Sequence, residues 1–284
     1  MKLSATTYEL RKVFGEEKGL AMMKEAGFDG VDYTFCEKED WLKGDYIAKA
    51  HQSKALLDKY GLKCLQAHAP FDWTIEKEEE FFPYIIRAIE YAGILESPYI
   101  VVHSPLVFWE NFTVDDAYLE MSRKYYKSLE PHARKAGIKI AVETLIHWDY
   151  KSRTTAGVLS DPQMMKDFIK SLDSDVFVVC ADLGHLALAH VEPQDFIRQM
   201  DNKLLQTLHV QDVDYICDLH TLPGQGNLNW NEICNALREI DYQGAFNYEA
   251  GRFWNGFDED LKQDALNLAV KVGRKLIDKI ESSK

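Results

Sequence analysis

Six ionisable residues stand at the ends of short apolar runs spread over much of the chain: His68, His103, Glu143, Asp182, His209 and Glu249. Each taken singly has an ordinary structural use, since a histidine at a strand end is more often hydrogen-bonded into the core than a ligand. Glu143, in Ala-Val-Glu-Thr, could cap the loop that follows it. Glu249 is harder to explain in that way. It follows Ala-Phe-Asn-Tyr with no lysine nearby, and a bare carboxylate carried into the interior is costly without a cation. Carboxylates and imidazoles together make a donor set for a divalent ion, the oxygens suiting Mg²⁺ or Mn²⁺ and the nitrogens drawing in Mn²⁺, Co²⁺ or Zn²⁺. Such an ion stabilises negative charge that develops on substrate oxygens, and neighbouring carboxylates can move protons.

Residues this far apart act together only if the fold gathers them. Apolar, β-rich runs cover residues 2–7, 30–35, 63–69, 99–104, 139–144, 176–181, 204–210 and 245–249, and several, such as Tyr99-Ile100-Val101-Val102, are nearly continuous, as strands covered on both faces are. Helical spacing fills the intervals, for example Phe82, Ile85, Ile86, Ile89 and Ala92. Ser160-Asp161-Pro162 and Asp115-Asp116 read as helix starts, Gly61 and Gly137 as helix ends, and the charged run 76–80 as a solvated helix start. Eight strands, each followed by a helix, predict a single-domain (β/α)₈ TIM barrel over residues 1–284, closed by a last helix from about 258 to 281. An open doubly wound sheet is the alternative, but the first turn, Thr6-Thr7-Tyr8-Glu9-Leu10, lacks its glycines. In a barrel the six ionisable residues would surround one mouth, where barrel active sites lie.

Composition narrows the partners. With 284 residues and 46% hydrophobic content the chain can bury a large core. A formal net charge of −13 disfavours nucleic acid, whose phosphates call for clustered Lys and Arg. No apolar run reaches signal-peptide or membrane-spanning length, so neither export nor a membrane is expected. Five scattered cysteines without a Cys-x-x-Cys pair fit a reduced, cytoplasmic setting.

Ala-Val-Glu143-Thr, Ala-Asp182-Leu-Gly-His185, Leu-His209-Val-Gln-Asp212, Asp218-Leu-His220-Thr-Leu-Pro-Gly224-Gln-Gly226 and Tyr-Glu249 follow one another in an order that resembles the xylose-isomerase-like TIM-barrel superfamily. That superfamily holds sugar and sugar-phosphate isomerases and epimerases together with endonuclease IV type apurinic endonucleases. The resemblance implies one divalent metal on Glu143, Asp182, His209 and Glu249. It also implies that Glu143 and Glu249 act as the acid/base pair that moves a proton through an enediolate, and that His185 contacts substrate oxygen. A homo-oligomer is a further expectation of the resemblance. The endonuclease branch, which holds three zinc ions, implies additional metal or substrate positions at His68, His103, His185, Asp218 and His220. Epimerase relatives often carry an arginine near the seventh-strand loop, where this chain has Leu219-His220.

The loops favour the sugar branch. Residues 211–228 and 105–116 contain no Lys or Arg, and Lys151, Arg153 and Arg252 are the chief cations of the other loops. Aromatic residues are plentiful there: Phe71, Trp73, Phe108, Trp109, Trp148, Phe253 and Trp254. Phe71 and Phe108 read as loop packing, whereas Trp109, Trp254 and Arg252 read as walls of a substrate pocket for an uncharged polyol. The expected function is therefore a divalent-metal-dependent isomerase or epimerase of a small sugar, sugar phosphate or cyclic polyol. A dehydratase using the same enolisation is a close variant, and a multinuclear zinc phosphoesterase is the alternative. A barrel that binds sugars without turning them over fits the crowded mouth least.

Overall fold

The structure, a computed structural model, describes residues 1–35, 42–71, 77–105, 113–149 and 154–282. Strand β1 (Leu3–Thr6) leads into helices α1 (Tyr8–Phe14) and α2 (Glu16–Ala26), which break at Gly15 with φ +77°. Then follow β2 (Gly30–Thr34), α3 (Tyr46–Tyr60), β3 (Lys63–His68), α4 (Glu78–Ile94), β4 (Tyr99–Val102), α5 (Asp116–Ala136) and β5 (Lys139–Glu143). A hairpin of β6 (Leu145–Asp149) and β7 (Thr154–Val158) precedes α6 (Pro162–Ser171) and β8 (Phe177–Asp182). After it come α7 (Leu183–Leu188), α8 (Pro193–Gln199), β9 (Leu205–His209), α9 (Trp230–Glu239), β10 (Phe246–Tyr248), α10 (Gly251–Asn255) and α11 (Lys262–Glu281).

Among the described residues, eight strands pair in parallel in the order β10-β1-β2-β3-β4-β5-β8-β9, and the bridge Val210–Tyr248 brings the two ends together. The Val210 amide donates to the Asn247 carbonyl and the Glu249 amide to the Val210 carbonyl, at 2.8 and 3.0 Å. This is the expected TIM barrel, a single domain. Its helices begin and end where local chemistry dictates. Asp115 and Asp161 cap α5 and α6 by accepting from Tyr118 and Met164 amides, with Pro162 in the first turn, while Gly61 and Gly137 close α3 and α5 in the left-handed conformation.

Three features depart from the sequence reading. The antiparallel hairpin β6–β7 was not expected after the fifth barrel strand; Leu145 pairs with Val158 and Ile146 with Gly157, and β-branched Ile146, Thr155 and Val158 suit that pleat. The intervals after β1, β8 and β10 hold two helices instead of one, and the two short ones after β8 are separated by His190 at φ +60°. The closing helix starts at Lys262, four residues later than expected, because the buried Lys262 ammonium turns back to donate to the carbonyls of Trp254, Asn255 and Phe257 at 3.1, 3.1 and 2.7 Å. Those contacts add a charged donor to the carbonyl end of α10 and the turn after it.

The period of two in each strand decides what faces the barrel axis. Ile140 and Val142, Val179 and Ala181, Val31 and Tyr33, and Phe246 and Tyr248 join the large apolar layer under the helices. Their alternates turn inward. Val101, Ala141, Val178 and Cys180 form a small separate apolar cluster. On the other side of the axis Ser4, Asp32, Gln66 and Asn247 are buried and hydrogen-bonded to one another. Glu143, Asp182 and His209, each the last residue of its strand, continue the inward set at the mouth.

Candidate metal centre

Side chains from the last residues of four barrel strands (β3, β5, β8 and β9) and from the residues just after two more (β4 and β10) meet at the carboxyl ends of the sheet. Ligand atoms of Glu143, Asp182, His209 and Glu249 all lie within 4.8 Å of one another. His209 Nδ1 is their hub, 2.8 Å from Glu143 Oε1, 3.2 Å from Glu249 Oε2 and 4.0 Å from Asp182 Oδ2. The other oxygen of Glu143 faces His103 Nε2 at 2.9 Å and His68 Nε2 at 3.4 Å. His185, Asp218 and His220 form a neighbouring group, with His220 Nε2 2.8 Å from Asp218 Oδ2 and His185 Nε2 3.9 Å from Asp218 Oδ1. Every one of the nine ionisable residues expected at the mouth is brought into this constellation.

The donor set suits a divalent cation. A ring nitrogen bearing a lone pair repels carboxylates, so three carboxylate oxygens gather round Nδ1 only with a positive charge between them, a proton or a metal ion. Ligand bonds of about 2.1 Å place neighbouring donor atoms about 3–3.5 Å apart, and the separations from Nδ1 here, 2.8, 3.2 and 4.0 Å, bracket that spacing. Glu249 Oε2 is buried with no hydrogen-bond partner, as a carboxylate oxygen kept for an ion would be. Without an ion the protons redistribute. Burial raises the Glu143 carboxyl, but the imidazoles of His209 and His103 outweigh it and hold it well below the usual carboxylate range. Burial pushes Glu249 up to about 7 against the pull of His209 and His220. Burial opposes a charged His220, yet Asp218 and Glu249 carry it up to about 10.

Local chemistry aims each ligand. Asp182 caps α7, accepting from the His185 amide at 2.6 Å, and its own amide donates to Thr144 Oγ1 at 2.9 Å. His68, His185 and His220 each direct Nδ1 at a backbone carbonyl, those of Ala69, Thr144 and Glu249, at 2.7, 3.0 and 2.9 Å. A carbonyl only accepts, so Nδ1 carries the hydrogen and Nε2 is presented to the site. His220 is held at φ +44°, a conformation non-glycine residues adopt at a cost. Phe71 lies edge-on to His68 with centroids 5.1 Å apart and 5.2 Å from the His103 ring, so it packs on the candidate ligands rather than on a neighbouring loop.

Several residues here carry no signature in the sequence. Gln211 Nε2 donates to both oxygens of Asp182 and to Asp218 Oδ1, all at 3.1 Å, while its carbonyl accepts from the His220 amide at 2.9 Å. It thereby ties the two ligand groups together, and Gly184 leaves room for it, since a Cβ there would sit 2.5 Å from Gln211 Cδ. Asp212 collects the amides of Val213, Gly224 and Leu228 and the Trp230 indole N–H, so the Pro-Gly-Gln-Gly segment is a turn whose Gly224 amide is already spent. Asp32 lies below the hub, with Oδ2 3.4 Å from His209 Nε2. Glu9 packs against Gly251, where a Cβ would meet its carboxyl at 2.2 Å, and burial raises its pKa.

The proposed pocket walls fare unevenly. Trp254 is fully buried in the apolar core, so its ring has no surface open to the mouth. Arg252 is exposed beside the mouth, and its guanidinium donates to the Asp218 carbonyl at 2.8 Å. Trp73, Phe108, Trp109, Lys151 and Arg153, and the side chain of Trp148, lie outside the described residues. Among the described residues no helix is long and apolar enough to cross a membrane.

Comparison with known proteins agrees with this geometry. An uncharacterised protein of Methanocaldococcus jannaschii is 28% identical over 235 residues, 79% of this chain and 75% of that one. A D-psicose 3-epimerase structure superposes with a TM-score of 0.75 at 18% identity, covering 98% of this chain and 99% of the other. A 3-keto-D-glucoside 4-epimerase from E. coli superposes with a TM-score of 0.75 at 20% identity, covering 97% and 99%. At such identities these structures speak for the fold. The model of the xylose isomerase-like TIM barrel family matches residues 20–269, nearly nine-tenths of the sequence, and the chain belongs to that family.

Proposed function

We propose that this protein is a divalent-metal-dependent epimerase or isomerase of a small sugar or cyclic polyol, with Glu143 and Glu249 exchanging a proton at a carbon beside a carbonyl. The observation that carries the reading is the convergence of these two carboxylates, from strands set apart round the barrel, on the single nitrogen His209 Nδ1 at 2.8 and 3.2 Å. Glu143, Asp182, His209 and Glu249 would hold the ion, which when bound supplies an electrostatic sink for charge developing on the carbonyl and neighbouring hydroxyl oxygens. One glutamate takes the proton from carbon, and the same or the other returns it. His185, its Nδ1–H held by the Thr144 carbonyl, offers Nε2 to a substrate oxygen. The epimerases among the structural neighbours carry out stereochemical inversions on ketoses and keto-sugars, the same class of change.

A second reading, a multinuclear zinc phosphoesterase, is favoured by one observation. The groups His68–His103–Glu143 and His185–Asp218–His220 adjoin the first and could hold further ions, Glu143 being shared. It is served poorly by the surroundings: residues 211–228, which carry Asp218 and His220, contain no Lys or Arg, and Arg252 is engaged by a carbonyl. Elemental analysis and solvent-deuterium exchange separate the two. The epimerase reading expects about one exchangeable Mn²⁺, Co²⁺ or Zn²⁺ per chain and deuterium entering a ketose next to its carbonyl, with Glu143→Gln and Glu249→Gln folded but slowed by about 10²–10⁴-fold. Two or three tightly held zinc ions, with phosphodiester cleavage lost on His68→Ala or His220→Ala, would replace it with the hydrolase.

A further inference from the structure

We propose that Asp32 is a positioning residue: by facing Nε2 of His209 from inside the barrel, it dictates that Nδ1 is the nitrogen turned toward Glu143, Glu249 and the metal. This rests on the metal-dependent reading above. Asp32 is 1% exposed and His209 fully buried, and Asp32 Oδ2 stands 3.4 Å from Nε2. The same oxygen accepts from Gln66 Nε2 at 2.7 Å and Asn247 Nδ2 at 2.9 Å, and the Asn247 amide oxygen accepts in turn from the Ser4 hydroxyl at 2.7 Å. With two amide N–H groups pointing at it, Asp32 is an acceptor. The buried His209 Nε2, which has no hydrogen-bond partner in the structure, faces it as the ring nitrogen that keeps the hydrogen once a metal takes Nδ1. Nδ1 is then left with its lone pair aimed into the ring of carboxylates.

His209 is the exception among the histidines whose ring contacts are defined. His68, His185 and His220 have Nδ1 pinned by backbone carbonyls and therefore present Nε2. At His209 the side chain presents Nδ1, and the service that a backbone carbonyl performs elsewhere falls to a carboxylate. The charge itself argues for this. An asparagine at 32 could accept the same two amide bonds without a buried anion, and a buried anion is costly unless something positive answers it. A ring N–H polarised by a metal on its far side is such an answer, and a carboxylate behind a ligating histidine makes it a better donor to the metal.

The test measures metal affinity and the state of the ring, not turnover. Zn²⁺ dissociation constants are determined by chelator competition for wild type, Asp32→Asn and Asp32→Ala, each first stripped of metal and checked for folding by circular dichroism. The Nε2–H resonance of His209 is followed in the ¹⁵N-histidine-labelled, zinc-loaded proteins. The expected result is affinity weakened about 10-fold in Asp32→Asn and about 100-fold in Asp32→Ala, with the Nε2–H proton moving upfield as its anionic acceptor is lost. Wild-type affinity in a folded Asp32→Asn, with an unmoved Nε2–H, would overturn the role of Asp32 while leaving the metal reading intact. A wild-type protein that takes up no zinc would overturn both. Should Asp32→Ala not fold, Asp32→Asn decides.

Discussion

Glu249→Gln should stabilise the metal-free protein while it slows proton exchange by about 10²–10⁴-fold. Glu249 is a carboxylate whose Oε2 is buried without a partner, and burial lifts its pKa from 4.5 to about 7. At about 1.4 kcal/mol per unit this corresponds to roughly 3 kcal/mol of strain when the group is charged, trimmed to about 2–3 because a fifth of the side chain meets solvent. The sign follows from proton linkage. A folded-state pKa above the unfolded one means the folded protein binds the proton more tightly, so the cost is absent below pH 4.5 and complete once the pH has risen past about 7. Glutamine fills the same space without the charge. For a chain of this size the gain is a melting temperature about 5 °C higher near pH 8, and little change near pH 4.5. The assay is thermal unfolding of chelator-stripped wild type and variant at the two pH values, paired with deuterium exchange on metal-loaded samples. A variant less stable than wild type near pH 8 would refute the reasoning, because it would mean that the charge of Glu249 is supported by the fold alone and needs no ion.

Two further outcomes follow from the same geometry. Gly184→Ala places a Cβ 2.5 Å from Gln211 Cδ and must displace the side chain that links Asp182 to Asp218; a loss of about 1–3 kcal/mol in urea unfolding and weaker metal uptake are expected, and unchanged values for both would show that Gln211 is not needed there. In the metal-free protein His220, raised to about 10, contributes stability that is complete below its ordinary 6.5 and is lost as the pH climbs through 10; urea midpoints measured across that window should fall, and added Zn²⁺ should flatten the fall by taking the place of the ring proton, whereas a metal-free midpoint flat across the window would contradict this assignment.

The barrel was legible because its signals are local. Each strand is a short apolar run whose limits turn or cap residues mark, and Asp115, Asp161, Gly61 and Gly137 sit where such residues should. The mouth was legible for a related reason: the ends of the runs are ionisable, and parallel strands in a barrel bring such ends together. What escaped the sequence lies where no local pattern marks it. Asp32 and Gln66 stand inside strands, and nothing in Gly30-Val-Asp-Tyr-Thr34 tells that the acid will meet a histidine contributed by β9, 177 positions later, across the axis. An acid within an otherwise apolar strand was the one available sign. Gln211 and Asp212 follow a strand end as polar loop residues usually do, and only the folded loop shows how many amides they gather. Trp254 misled because nearness in sequence to Glu249 is not nearness in space: five residues on, the short helix α10 has turned its indole into the core.

The Lys262 ammonium gives that same stretch a mechanical character. By gathering the carbonyls of Trp254, Asn255 and Phe257, it bolts α10, and with it the rim beside Glu249, to the long helix that braces the outside of the barrel. A force on this part of the rim is passed to a twenty-residue strut, not absorbed by a loop. The rim beside Glu249 is thus tied through α10 and α11 to the outer layer of the barrel.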